Sequence, residues 1–178
     1  MVTLRWKARS ARVWLNEPPA WDYEISEVVE NTQEALEEEC VSARDLAVEL
    51  FFLIGARHYY GGIAVTFTPT HKGELVVQVP LSAGVGLPFE ESLAGKLDMS
   101  YKGLPKEYMS GVFEGLMKAE WTPMLGSGLL HVNGAVHGSI GSSNWMFRKL
   151  GHIVVKLLTV DTSAFSENAL TEFIQAVM

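Results

Sequence analysis

The sequence predicts an α+β domain, and three observations carry that expectation. First, Leu4, Trp6 and Ala8 alternate with Arg5, Lys7 and Arg9, and Leu46, Val48, Leu50 and Phe52 alternate again further on, which is the period of half-buried strands. Second, Tyr108, Val112, Phe113, Leu116 and Met117, and then Trp145, Met146, Leu150, Ile153, Val154 and Leu157, recur at helical spacing. Third, strand-like and helix-like runs do not alternate as crossover units, which argues against a doubly wound sheet. The 178 residues suffice for one domain with a sizeable core and are too few for two comfortable ones.

Taken in order, residues 3–15 read as one strand, closed by Pro18 and Pro19. Ile25, Val28, Val29, Thr32, Leu36 and Cys40 fall at helical spacing behind Ser26 as a cap, which predicts an amphipathic acidic helix over 26–40. The strand around 46–52 and a second over 63–68 form a hairpin whose long tip is bracketed by Gly55, Gly61 and Gly62. Lys72-Gly73 turns the chain into a short strand at Leu75–Val79. Over 80–104, glycines and Pro88 interrupt every pattern. Pro105 opens a helix to about Ala119, 121–128 is loop, and 129–140 is extended. Ser142 or Ser143 caps the next helix, and Ser166 opens a last short one burying Leu170, Phe173 and Ile174. The expected organisation is an N-terminal strand and acidic helix packed on the body (1–45), the body itself (46–160) and a C-terminal helix (161–178).

The net charge of −7 hides a strong polarity. Residues 1–16 carry four cations and no acid, residues 17–49 carry eleven acids against Arg44 alone, and the remainder is nearly balanced. A generally basic nucleic-acid binder is disfavoured by this charge, because counterion release from phosphate has no bulk charge to drive it. A composition 48% hydrophobic and 10% aromatic disfavours disorder. A single cysteine excludes an internal disulfide and a cysteine-cluster zinc site. No apolar run approaches the ~20 residues of a membrane span, and the N-terminus is charged where a signal peptide would be apolar, so the expected location is cytoplasmic.

Catalytic motifs are sparse. Gly95-Lys96 lacks both the hydroxyl residue and the first glycine of a phosphate loop, so GTP and other nucleotides are not expected ligands. His137-Gly138-Ser139-Ile140-Gly141 has histidine where a nucleophile elbow needs glycine, and is read as a turn. The histidines at 58, 71, 131, 137 and 152 show no metal-ligand pairing; His131 and His137 could share a strand face, but would lie about 20 Å apart at ~3.3 Å per residue. Cys40 follows three glutamates, which disfavours a reactive thiolate. The expectation is a non-enzymatic protein with no metal and no cofactor.

Three stretches in register nevertheless resemble domain IV of translation elongation factor G and its relatives. They are Gly55-Ala56-Arg57-His58-Tyr59-Tyr60-Gly61-Gly62 with the following strand and Pro69, then Gly103-Leu104-Pro105-Lys106-Glu107-Tyr108, and then Gly141-Ser142-Ser143-Asn144-Trp145-Met146-Phe147-Arg148-Lys149-Leu150-Gly151. The resemblance spans roughly 46–158. It implies a ribosomal-protein-S5-domain-2-like fold, a mixed or antiparallel sheet with two main helices on one face. It also implies the ribosome or ribosomal RNA as partner, with Arg57, His58, Tyr59 and Tyr60 as the RNA contacts. Tyr59 and Tyr60 also fit a role as cross-strand aromatics. The segment between His137 and Ser142 is about three residues shorter than the family's second tip loop, and residues 17–45 have no counterpart there. The alternative expectation is therefore a protein-interaction module that keeps the fold, has lost RNA binding, and meets a basic partner or another copy through the acidic helix or an apolar face. A small-molecule enzyme ranks third, for want of a visible phosphate loop.

Overall fold

The computed structural model describes residues 1–36, 41–162 and 165–177. It is an α+β fold built on one nine-stranded, mostly antiparallel open sheet. The strands are β1 (Val2–Trp6), β2 (Arg9–Leu15), β3 (Ile25–Glu34), β4 (Arg44–Ile54), β5 (Arg57–Pro69), β6 (Glu74–Ser82), β7 (Leu87–Pro88), β8 (Ser100–Lys102) and β9 (Gly128–Gly138). Their order is β1-β2-β4-β5-β9-β6-β3, with β8 on the far half of β9 and β7 beside it. One pairing, β6 with β9, is parallel.

The helices α1 (Met109–Met117), α2 (Asn144–Leu158) and α3 (Glu167–Gln175) cover one face. Strand alternation supplies that face: Leu46, Val48, Leu50 and Phe52 of β4 lie with Ile63, Val65 and Phe67 of β5, and with Leu130, Val132 and Ala135 of β9. Three glycines let α1 and α2 touch backbone to backbone. A Cβ on Gly115 would stand 2.9 Å from the Gly151 Cα, and one on Gly111 would overlap the Asn144 carbonyl. Ser143 caps α2 by accepting from the Met146 amide, and Ser166 caps α3 through the Ala169 amide, as the sequence predicts.

Several expectations are corrected. Residues 3–15 form a hairpin rather than one strand, because Lys7 takes a left-handed turn conformation (φ 51°) between β1 and β2. Where a helix over 26–40 is expected, the chain forms the strand β3 up to Glu34; residues 37–40 of the expected helix lie outside the described residues. Its β-branched Ile25, Val28, Val29 and Thr32 mimic a helical spacing but favour extended backbone. An edge strand exposed on most of its length shows no apolar alternation to give it away. The long hairpin tip is in fact a two-residue turn, Gly55-Ala56, with Ile54 already paired to Arg57. Gly55 supplies the left-handed φ of 60°. Gly61 is not a turn residue: it sits inside β5, where a Cβ would press on Leu150 at 3.2 Å. Finally, a register shift at Asn133 puts His131 and His137 on opposite faces, opposite Thr66 and Gly61 respectively.

The second face of the sheet carries none of the helices α1, α2 and α3. It is covered by the segment 17–24 and by residues 89–94, part of the 80–104 stretch in which no sequence pattern persists. Trp21, Ala47, Phe51, Tyr60, Ala64, Ala94 and Val136 form a smaller core there, with Trp14, Phe89 and Leu93 at its border.

Candidate functional site

The β4–β5 turn, the β9–α2 turn (139–143) and the 95–99 loop meet at one end of the sheet. Their junction is built from backbone bonds: the Tyr60 amide donates to the Gly141 carbonyl at 2.9 Å, and the Ser139 amide to the Met99 carbonyl at 2.9 Å. Ser142 Oγ donates to the Tyr60 carbonyl at 2.7 Å and accepts from the Gly138 amide at 2.9 Å. Ser142 therefore fastens the turn, while its neighbour Ser143 caps the helix.

Beneath the tip lies a buried carboxylate that sequence reasoning missed. Asp98 Oδ2 accepts from the Gly141 amide at 2.7 Å, the Ile140 amide stands 3.2 Å from Oδ1, and His58 Nε2 is 3.1 Å from Oδ2. The turn needs such a staple, because its Ile140 and Gly141 amides point inward and would otherwise be unpaired. No local pattern marks Asp98; its partners are about forty residues away in sequence.

A second buried carboxylate holds the loop above the sheet. Glu49, fully buried, accepts from Tyr60 Oη at 2.9 Å and from the Leu93 amide at 2.8 Å, and pairs with Arg12 at 3.1 Å. Burial pushes the Glu49 carboxyl above the usual carboxylate range, against the opposing pull of the Leu93 amide, Arg12 and Tyr60. Burial, followed by the Glu49 charge, raises the Tyr60 phenol well above its ordinary value.

The four residues expected to contact RNA are not brought together. Strand alternation sends Arg57 and Tyr59 to the helix face, opposite Ile54 and Phe52, and His58 and Tyr60 to the other face, opposite Leu53 and Phe51. Arg57 is exposed, His58 rests on Asp98, and Tyr59 stacks on Phe52 at 5.1 Å and meets Trp145 edge-on at 5.3 Å. Tyr60 is fully buried. Tyr59 is thus a cross-strand aromatic, and Tyr60 a core residue with a polar end.

Beside exposed Arg57 and Lys96, the tip presents large apolar side chains outward. Ile140 is 77% exposed, Met99 68% and Leu97 61%, with Ile54 and Leu53 at the end of β4. Val85 and Leu87 stand out on the adjoining loop, which the Val85 carbonyl ties to His137 Nε2 at 3.0 Å. An open pocket of about 440 Å³ separates the hairpin turn from the start of α2, lined by Ala56, Arg57, His58, Tyr59, Ile140 and Ser143. On its far side a cleft of about 560 Å³ runs beside His137, Tyr108 and Ser139. Burial, then Glu107, pushes the Tyr108 phenol up to about 12, so it stays a neutral donor there.

Among the described residues no cluster of three or more His, Cys, Asp or Glu is arranged to hold a metal ion. No described helix is long and apolar enough to cross a membrane. In comparisons with known proteins, no family model, no curated protein and no solved structure matches this chain.

Proposed function

We propose that this chain is a non-catalytic binding module whose contact surface is the tip of the sheet, and that the surface docks on another protein. The observation that carries this reading is the cluster of large apolar side chains, Ile54, Leu97, Met99 and Ile140, held outward on three adjoining turns. Exposed apolar groups in such a concentration mark interaction sites more than solvated loops. Asp98 and Ser142 at the same place hold the turns, Asp98 through two amides and Ser142 through two backbone groups, and exposed Arg57 and Lys96 border the apolar side chains.

The reading is tested by placing a photo-crosslinking residue at Ile140 and, for comparison, at exposed Glu172 on α3. The expected result is a discrete adduct from position 140 alone, lost when Met99→Asp is added. Equal adducts from both positions, or an adduct indifferent to Met99→Asp, would sink it.

A second reading uses the same end of the molecule. The resemblance to domain IV of elongation factor G, with its S5-domain-2-like fold, is supported by the sheet backed by α1 and α2 and by the parallel β6–β9 pair around α1. Exposed Arg57 at the hairpin turn favours a phosphate contact to ribosomal RNA. Co-sedimentation with ribosomes at low and moderate salt separates the two. Salt-sensitive pelleting abolished by Arg57→Glu and kept by Ile140→Asp supports RNA; loss with Ile140→Asp alone supports a protein face.

A further inference from the structure

The main path of the open sheet ends in two strands whose outer edges nothing pairs among the described residues: β1 on one side and β3 on the other. Such edges offer rows of backbone donors and acceptors to any extended chain. Here they carry opposite charge. Residues 1–16, which build β1 and β2, hold Arg5, Lys7, Arg9 and Arg12 and no acid; residues 17–36, which lead into and form β3, hold six acids and no base. Of these, Arg5, Lys7, Glu27, Glu30 and Glu34 are exposed at or beside the two edges.

We propose that the partner of each edge is the opposite edge of a second copy of this chain, so that copies add head to tail into a continuous sheet. Strand direction permits it. Following the pairings across the sheet, β1 and β3 run in opposite directions, since five antiparallel steps and one parallel step separate them. A neighbouring copy with its helices on the same side therefore brings its β1 antiparallel to β3, the arrangement that hydrogen-bonds best at an open edge.

Side-chain registry agrees as well. Thr3 and Arg5 lie on the face away from the helices, opposite Arg12 and Ser10, while Val2, Leu4 and Trp6 lie toward them. On β3, Glu30 and Thr32 share the face away from the helices, and Val29 and Asn31 share the other. One antiparallel register then sets Arg5 opposite Glu30, Thr3 opposite Thr32 and Trp6 opposite Val29, an ion pair, a hydroxyl pair and an aromatic–β-branched pair. The half-exposed Val28, an apolar side chain beside the edge, is covered in the same step. Pairing like edges instead, β1 with β1 or β3 with β3, sets cation against cation or acid against acid. The favoured contact is therefore heterologous and has no closed end at two copies.

Sedimentation velocity of the full chain tests this at about 10 mM and about 1 M salt, between which the screening length falls about tenfold. The expected result at low salt is a distribution that extends beyond dimer and grows with protein concentration, and a monomer at high salt. Arg5→Glu/Lys7→Glu makes both edges acidic, and Glu27→Lys/Glu30→Lys makes both basic. Each variant alone should remain monomeric with an unchanged melting profile, and an equimolar mixture of the two should assemble again. All four positions are exposed, so the variants fold. A monomer at low salt at every concentration, a closed dimer, or assembly that persists in both separate variants would overturn the proposal. Loss of assembly in Ile140→Asp would overturn it too, by moving the contact to the tip.

Discussion

The two faces of the sheet are covered by unlike means. On the helix face, side chains at alternate strand positions meet α1 and α2 in a continuous apolar core that, among the described residues, contains no buried carboxylate. On the other face, irregular chain is laid over the strands and anchored by Trp21, Glu49 and Asp98 among other contacts. Apolar packing suits regular elements, whose backbone bonds are already made internally. A loop brings unpaired amides, so its cover needs acceptors planted beneath it. The comparison therefore predicts that damage spreads differently on the two sides.

The largest effect is expected from Trp21→Ala. The indole is buried over Gly62, where any Cβ would stand 2.8 Å from the ring, and it meets Trp14 edge-on at 5.2 Å. Removing it should cost about 4 kcal/mol of local stability. Leu150→Ala on the helix face should cost about 3 kcal/mol. The readouts separate them: hydrogen exchange should show Trp21→Ala releasing the Leu93 amide while β5 and β9 stay protected, and Leu150→Ala lowering protection everywhere. Uniform loss of protection in both would erase the distinction between the faces.

Glu49→Ala sharpens the same point. It takes the buried acceptor from Tyr60 Oη and the Leu93 amide and the ion partner from Arg12, for an expected loss of about 3 kcal/mol in denaturant unfolding. Glu49→Gln, which keeps an acceptor, should cost about half as much. On the helix face, Gly151→Ala forces apart a helix pair whose backbones touch, its Cβ falling 2.7 Å from the Gly115 Cα; about 2 kcal/mol is expected. A neutral Gly151→Ala would mean that α1 and α2 can slide, and that this face is less rigid than its packing implies.

The asymmetry also explains what the sequence made legible. The helix face is readable because periodicity encodes it: α1, α2 and α3, the serine caps of α2 and α3, and strands β4, β5, β6 and β9 all follow from spacing and local chemistry. The other face is encoded by pairs distant in sequence, Glu49 with Leu93 and Asp98 with Gly141, which no window of neighbouring residues contains. The stretch over 83–99 seemed patternless for that reason. β3 was misread as a helix because an exposed edge strand buries too little to alternate, leaving β-branched residues at a misleading spacing. The tip was located by its glycines and tyrosines, but the side chains it shows to solvent are Ile140, Met99 and Leu97, whose exposure depends on turns that spacing does not specify.

The smallest expected effect is a pH dependence that belongs to the loop-covered face alone. Burial raises the Glu49 carboxyl above its value in the unfolded chain. Over the interval from the ordinary carboxylate pKa up to the raised one, the folded protein therefore binds more protons than the unfolded one, and stability falls as pH rises through it. Below that interval both states are protonated at this site and the contribution is fully present. Glu49→Gln cannot titrate, so the wild-type stability measured relative to this variant should decline with rising pH across the interval and then level off. Leu150→Ala, on the face without a buried carboxylate, should leave the wild-type pH profile unchanged in shape. A relative stability that instead rises with pH would mean that Arg12 and the Leu93 amide outweigh burial at Glu49. The loop would then be held by a charge, with the cost of desolvating it more than offset by its partners.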